Sequence, residues 1–223
     1  MLTIYGLPIS VHTRKVIIAA IEKNLDHEIE MVIPFDPPAN WDKLSPTGLI
    51  PAVKFDDGTT LADSTVICTY LDRIYPDHPM YPSDPKELAK ALWLEEYGDG
   101  TLFRNVVHGL FAQKVIRPNI LKEETDQAEV DRILTDVMPK MFGYFENQID
   151  GPYLVGGKFT IADITLASNL LNYQYLGLPI DEARFPKLAN YFRQIIEHPS
   201  LKQHIAAEQP AAQQMGLDSS FLH

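Results

Sequence analysis

The sequence predicts an α/β domain over residues 1–78, a linker at 79–85 and an all-α domain over 86–223. Three observations predict it. Strand-like and helix-like patterns alternate through the first 75 residues or so. The stretch from Tyr75 to Lys86 holds four prolines in ten residues, which stops any helix and stiffens the chain. After it, no stretch reads as strand.

Leu2–Tyr5 is a short β-type run, and Gly6–Ser10, with Pro8, is a loop. Val11–Asn24 is a helix, dense in apolar residues over Val16–Ile21. Glu28–Ile33 alternates polar and apolar, as a half-buried strand does. Ala52–Phe55 and Thr60–Ala62 flank Asp56-Asp57-Gly58-Thr59, a strong hairpin signal. Ser64–Tyr75 is a second clear helix. The order β-α-β, then β-β-α, is that of a thioredoxin-like domain.

Beyond the prolines, Glu87 to about Lys114 is one helical pattern. Asp126 and Glu129 are spaced as a capping box opening a helix toward Gln148, with a kink expected at Pro139. Thr160 and Asp163 form a second box, with Phe159 and Ile164 placed as a hydrophobic staple. The last helix expected runs from Pro186 to about Glu197, and Gly216–His223 reads as a loose tail.

The chain carries 19 basic and 30 acidic residues, a net charge of −11. Residues 1–80 hold 6 basic and 11 acidic, so neither half is basic. That argues against nucleic acid and anionic membrane as partners. The single cysteine, Cys68, lies in a helix as a small buried hydrophobe and leaves no pair for a disulfide or a CxxC motif. The seven histidines show no metal-ligand spacing. The first residues do not read as a signal peptide, so a cytoplasmic protein is expected.

Three features carry chemistry. At the first helix, where redox thioredoxin-like domains place a cysteine, this chain has Ser10-Val11-His12-Thr13-Arg14. The free N–H groups and dipole there favour an anion. Ser10 either caps the helix or donates a hydrogen bond to a thiolate from elsewhere. Gly48-Leu49-Ile50-Pro51-Ala52 puts a proline at a strand entrance; in the cis form it would leave the Ile50 backbone to pair with an extended peptide. Asp63-Ser64 opens the second helix, either as an ordinary cap or as a cradle for an α-ammonium and an α-carboxylate.

A helix-start serine near 10, Ile-Pro near 50 and an acidic-Ser pair near 63 together resemble the cytosolic glutathione transferases. The resemblance runs from Leu2 to about Lys202, through the proline-rich segment, the Phe159–Asp163 helix start and Pro186-Lys187-Leu188. It implies the glutathione transferase fold and a detoxifying conjugation of glutathione to an electrophilic small molecule. It also implies a homodimer, with glutathione as co-substrate and no cofactor. By resemblance, Asp63 and Ser64 hold the γ-glutamyl end, Ile50 and Pro51 the cysteinyl backbone, and Ser10, followed by Arg14, the thiol. Tyr5, at the end of the first strand, is the other candidate for that last role. Many members have Gln or Lys where this chain has Leu49, so the glycyl contact departs from the pattern; Lys43 and His12 are candidate substitutes. Asp99 is a candidate to reach a partner subunit's ligand. Trp93, Tyr97, Phe103, His108 and Phe111 share one helix, mostly as core, some as lining for an electrophile pocket. Two other functions fit the same resemblance: a binding or regulatory module without efficient chemistry, and a glutathione-dependent peroxide or disulfide reductase.

Overall fold

The structure, a computed structural model, describes residues 1–222. Four strands form one mixed sheet in the order β2-β1-β3-β4. They are β1 (Leu2–Tyr5), β2 (His27–Glu30), β3 (Ala52–Phe55) and β4 (Thr60–Ala62). β1 runs parallel to β2, across the helix α1 (Val11–Glu22), and antiparallel to β3. β3 and β4 form the expected hairpin, where Gly58 supplies a positive φ of 87°. The one-turn helix α2 (Trp41–Leu44) and the helix α3 (Ser64–Ile74) complete this half.

The second half is helical. α4 (Pro85–Glu96) continues through π-type turns over Tyr97–Leu102 and Arg104–Leu121. It therefore runs past the expected Lys114, and Lys122, in the left-handed region, ends it. α5 (Gln127–Arg132), a π-type turn (Ile133–Val137) and α6 (Met138–Gln148) follow; Pro139 lies in the first turn of α6, so the break falls just before it. Then come α7 (Ile161–Gln174), α8 (Pro186–Ile195) and α9 (Pro199–Gln214). Among the described residues, no helix is long and apolar enough to cross a membrane.

Several expectations need correction. β2 is shorter than Glu28–Ile33 and is an exposed edge, with Ile29, Met31 and Ile33 open to solvent. Asp126 does cap α5, accepting from the Glu129 N–H at 3.1 Å. Glu129 does not return the bond: its carboxylate pairs with Arg132, and the Asp126 N–H donates to Gln113. α9 was not expected at all. Its inward face carries Ser200, His204 and Glu208 beside Leu201 and Ile205, so the apolar period that marks a helix is missing. The tail is docked over residues 216–222: the Asp218 N–H donates to the Tyr175 carbonyl at 2.9 Å, and Phe221 packs edge-on against Tyr175. His223 lies outside the described residues.

α1 is the centre of the molecule. Val11 and the whole run Thr13–Ala20 are buried, including Arg14 and Lys15. It packs on the sheet from one side and on α7 and α9 from the other. Where α4 crosses α7, a Cβ added to Gly98 would stand 2.4 Å from Thr165 Cγ2. Gly98→Ala is expected to lower stability by about 1–3 kcal/mol, read as a lower urea midpoint.

Candidate active site

The sheet register gathers the three sequence features at one edge. Tyr5, Ala52 and Ala62 lie side by side across β1, β3 and β4. The residues just beyond this row are the loop from Gly6 to Ser10, the Ile50-Pro51 pair and Asp63-Ser64. A Cβ on Gly6 would stand 2.4 Å from Thr13 Oγ1, so glycine lets the end of β1 lie directly against α1.

Ser10 is the N-cap of α1, with φ −68° and ψ 130°. Its hydroxyl accepts from the Thr13 N–H at 3.5 Å, beyond the usual range for such a bond, so the cap is weak and the O–H is free to donate. The first turn of α1 has no acidic side chain, whereas α4, α5 and α7 each place one there. The partial positive charge at this helix end is therefore left for an external anion.

The Ile50-Pro51 peptide bond is cis. Among the described residues, no hydrogen bond engages the Ile50 N–H or C=O. The preceding loop is held from behind: the Trp41 indole donates to the Gly48 carbonyl at 3.1 Å, and the Ser45 hydroxyl to the Leu49 carbonyl at 2.7 Å. The Leu49 side chain is 64% exposed.

Asp63 sits at φ 78°, and its carboxylate accepts from the Val66 N–H at 3.0 Å, capping α3. Ser64 Oγ lies 3.3 Å from His12 Nδ1. Two residues after Ser10, His12 thus joins the starts of α1 and α3. It lies beside Asp63-Ser64 rather than at the glycyl end for which it is a candidate substitute; Lys43 is exposed on α2.

Tyr5 is on the other face of the sheet. Leu2 and Ile4 point into the core with α1 and α3, so the alternation of β1 turns Tyr5 toward α2. Its ring lies 6.2 Å from Trp41, in a cleft of about 380 Å³ shared with Glu30, Val32 and Leu44. Burial, with the Glu30 carboxylate adding to it, raises the phenol pKa above its ordinary 10.0.

Behind the site, Lys15 Nζ is enclosed by Glu95 and Asp99, each at 2.5 Å, and the Thr65 hydroxyl at 2.9 Å. Burial opposes its charge, but the two carboxylates outweigh burial and raise its pKa. Asp99, the candidate for a partner's ligand, is thus ion-paired within its own chain. Arg14 turns away from Ser10 into the seam between the halves, where Glu208 binds it at 2.9 Å. Cys68 is buried, and burial pushes its thiol pKa up. Phe103 packs against His12 in a tilted arrangement at 4.2 Å and meets His108 edge-on at 4.8 Å, whereas Trp93 is 53% exposed on the outer face of α4.

Two family models match this chain, "Glutathione S-transferase, N-terminal domain" over residues 4–79 and "Glutathione S-transferase, C-terminal domain" over 111–208. The chain belongs to the glutathione S-transferase family. A glutathione S-transferase of Triticum aestivum is 26% identical, over 94% of this chain and 95% of that one. The stringent starvation protein A homolog of Coxiella burnetii is 25% identical over 92% of each. A glutathione S-transferase structure from Rhodospirillum rubrum F11 superimposes with a TM-score of 0.85, at 25% identity and 92% coverage of both chains. The glutathione S-transferase fold, a small thioredoxin-like sheet domain with a helical domain, is therefore the fold of this chain. Within it, His12 is the neighbour whose place beside Ser64 the sequence leaves open. The signal was present, since two residues beyond a helix-start serine is still the first turn, but nothing in one sequence says which residue that turn faces.

Proposed function

We propose that the protein conjugates the thiol of glutathione to an electrophilic small molecule. The observation that carries the reading is Ser10 at the start of α1, with no acid in the first turn, beside the Ile50-Pro51 and Asp63-Ser64 sites. The Ser10 O–H donates to the glutathione sulfur, and the helix end adds its partial positive charge; both favour the thiolate over the thiol. The thiol proton leaves to solvent. A sulfur lone pair then forms the bond to the electrophilic carbon, and a leaving halide departs with its bonding electrons. Ile50 offers its backbone to the cysteinyl residue. Ser64 donates to the γ-glutamyl α-carboxylate, and Asp63 takes the α-ammonium. Phe103 and His108 form part of the wall on the electrophile's side. Tyr5, on the α2 face and with a raised pKa, is the poorer donor. The exposed Val66, Leu92 and Trp93 on α3 and α4 suit the homodimer expected of the family.

Glutathione with a simple aryl halide tests the proposal. Ser10→Ala is expected to lower kcat/KM about 10- to 100-fold, the worth of one hydrogen bond to a charged group. The thiol pKa of the bound glutathione is expected to rise with it. Equal rates for wild type and Ser10→Ala would refute the role of Ser10. One observation favours a second reading, a binding module without efficient chemistry: Leu49 is open to solvent at the glycyl end and offers no polar contact. Calorimetry that finds no detectable heat with millimolar glutathione would support that reading instead.

A further inference from the structure

We infer that His12 is a positioning residue for Ser64: it fixes the direction of the Ser64 hydroxyl and so sets the affinity for the γ-glutamyl carboxylate. The inference rests on the glutathione-binding reading above and goes beyond it, to a residue that holds the ligand's contact without touching the ligand.

The His12 ring cannot turn freely. Its side chain is only 21% exposed, and the Phe103 ring packs against it, tilted, with centroids 4.2 Å apart. Its Nδ1 edge faces two groups, Ser64 Oγ at 3.3 Å and Asp99 Oδ1 at 3.6 Å. That Asp99 oxygen is buried and has no hydrogen-bond partner among the described residues. The other oxygen of Asp99 is held by Lys15 and Thr65, so the carboxylate is fixed and its free oxygen is aimed at the imidazole.

This arrangement selects the tautomer. An ionised carboxylate only accepts, so a proton on Nδ1 is favoured by Asp99 and one on Nε2 is not. With Nδ1 protonated, the Ser64 oxygen accepts from His12, and the hydroxyl proton must point elsewhere. At the start of α3, the direction left is outward, toward an incoming anion. The Nε2 tautomer would have the reverse effect, drawing the Ser64 proton into Nδ1 and leaving no donor for the carboxylate. Lys15 and Thr65 thus hold Asp99, the Asp99 charge orients the imidazole, and the His12–Ser64 hydrogen bond passes that orientation to the hydroxyl. The charged and titratable groups around His12 are Asp99, Lys15, Asp63 and His108; burial is the largest influence and keeps the ring neutral near pH 7.

A double-mutant cycle tests the inference, with calorimetry on glutathione and on cysteinylglycine, which lacks the γ-glutamyl arm. His12→Phe keeps an aromatic ring packed against Phe103 but removes the donor. It is expected to weaken glutathione about 5- to 10-fold and to leave cysteinylglycine unchanged. His12→Phe with Ser64→Ala is expected to bind no more weakly than Ser64→Ala alone, because the two residues act through one contact. His12→Asn, which keeps an N–H near the Nδ1 position, is expected to restore most of the affinity. Additive effects in the cycle, or an equal loss for both ligands, would overturn the inference. Nitrogen NMR of labelled histidine in the wild-type chain decides it independently of any variant's folding. A neutral His12 protonated on Nδ1 is expected, and an Nε2-protonated ring overturns the inference. Failure of the wild-type chain to bind glutathione at all would overturn the function reading as well, and is a separate result.

Discussion

Glu208→Ala is expected to cost the fold about 3–5 kcal/mol, the usual penalty for stripping one partner from a buried ion pair. Glu208 is fully buried on α9. Its carboxylate accepts from Arg14 Nε at 3.0 Å and Nη2 at 2.9 Å, from the Tyr175 hydroxyl at 2.8 Å and from His204 Nε2 at 3.0 Å. Arg14 is equally buried, and without Glu208 it keeps only the Ser168 and Ile9 carbonyls and the Asn172 side chain. Water cannot reach the guanidinium, so the lost charge pairing is not replaced. With typical domains stable by about 5–15 kcal/mol, this loss is a large fraction of the total. Urea denaturation would read it as a lower midpoint at unchanged slope. Arg14→Met combined with Glu208→Leu is expected to recover most of the loss, because neither charge is then left alone. The pH dependence has a definite sign. Burial alone would raise the Glu208 pKa; Arg14, His204 and Tyr175 together reverse that and hold it below the ordinary 4.5. The pair's contribution is therefore present above about pH 4.5 and is lost as pH falls through the depressed folded-state value.

Asp163→Ala is expected to cost about 3–5 kcal/mol by a different route. The Asp163 carboxylate accepts from the Leu154 N–H, the Thr160 N–H, the Thr160 hydroxyl and the Tyr191 hydroxyl, all between 2.9 and 3.0 Å. It fastens the start of α7 to the preceding loop and to α8. Removing it strands several buried donors, each costing about 1–3 kcal/mol with partial relief by relaxation. Asp163→Asn retains one acceptor and is expected to lose roughly half as much. Here burial outweighs the four donors and pushes the carboxyl up to about 6. Since the folded-state pKa lies above the unfolded one, protonation adds stability as pH falls from about 6 toward 3.8. The gap between wild type and Asp163→Asn should widen over that window, as followed by thermal unfolding at a series of pH values.

These two residues mark the limits of what the sequence discloses. Asp163 was legible as a cap, because the box of Thr160 and Asp163 is four residues long; its further partners Leu154 and Tyr191 lie 9 and 28 positions away. The hairpin at Gly58 and the caps at Ser10 and Asp63 were legible for the same reason. Glu208 was not, because its partner Arg14 is 194 positions away. That pairing is also why α9 went unseen. A helix face that buries His204 and Glu208 against a cation looks polar, and Pro210 inside it reads as a stop. At the candidate site, Ser10, Ile50-Pro51 and Asp63-Ser64 could be picked out by local chemistry, and the register of β1, β3 and β4 explains their convergence. The direction of Tyr5 follows from the alternation of β1 once Leu2 and Ile4 are assigned to the core. The places of His12 and Asp99 depend on how α1, α3 and α4 approach one another, which no short pattern encodes.

The burial of α1 on both flanks has a consequence for how such a chain can be recombined. A cut in the proline-rich segment severs one connection in the chain but leaves the physical joint intact. Arg14 needs an acceptor carried by α9, and Lys15 needs two carried by α4 and its extension. A chimera that joins this N-terminal half to a relative's helical half inherits two buried cations, and it matures only if the donor supplies carboxylates at the matching places. The halves are thus exchangeable as paired sets, and the currency of that exchange is charge at three positions: 95, 99 and 208.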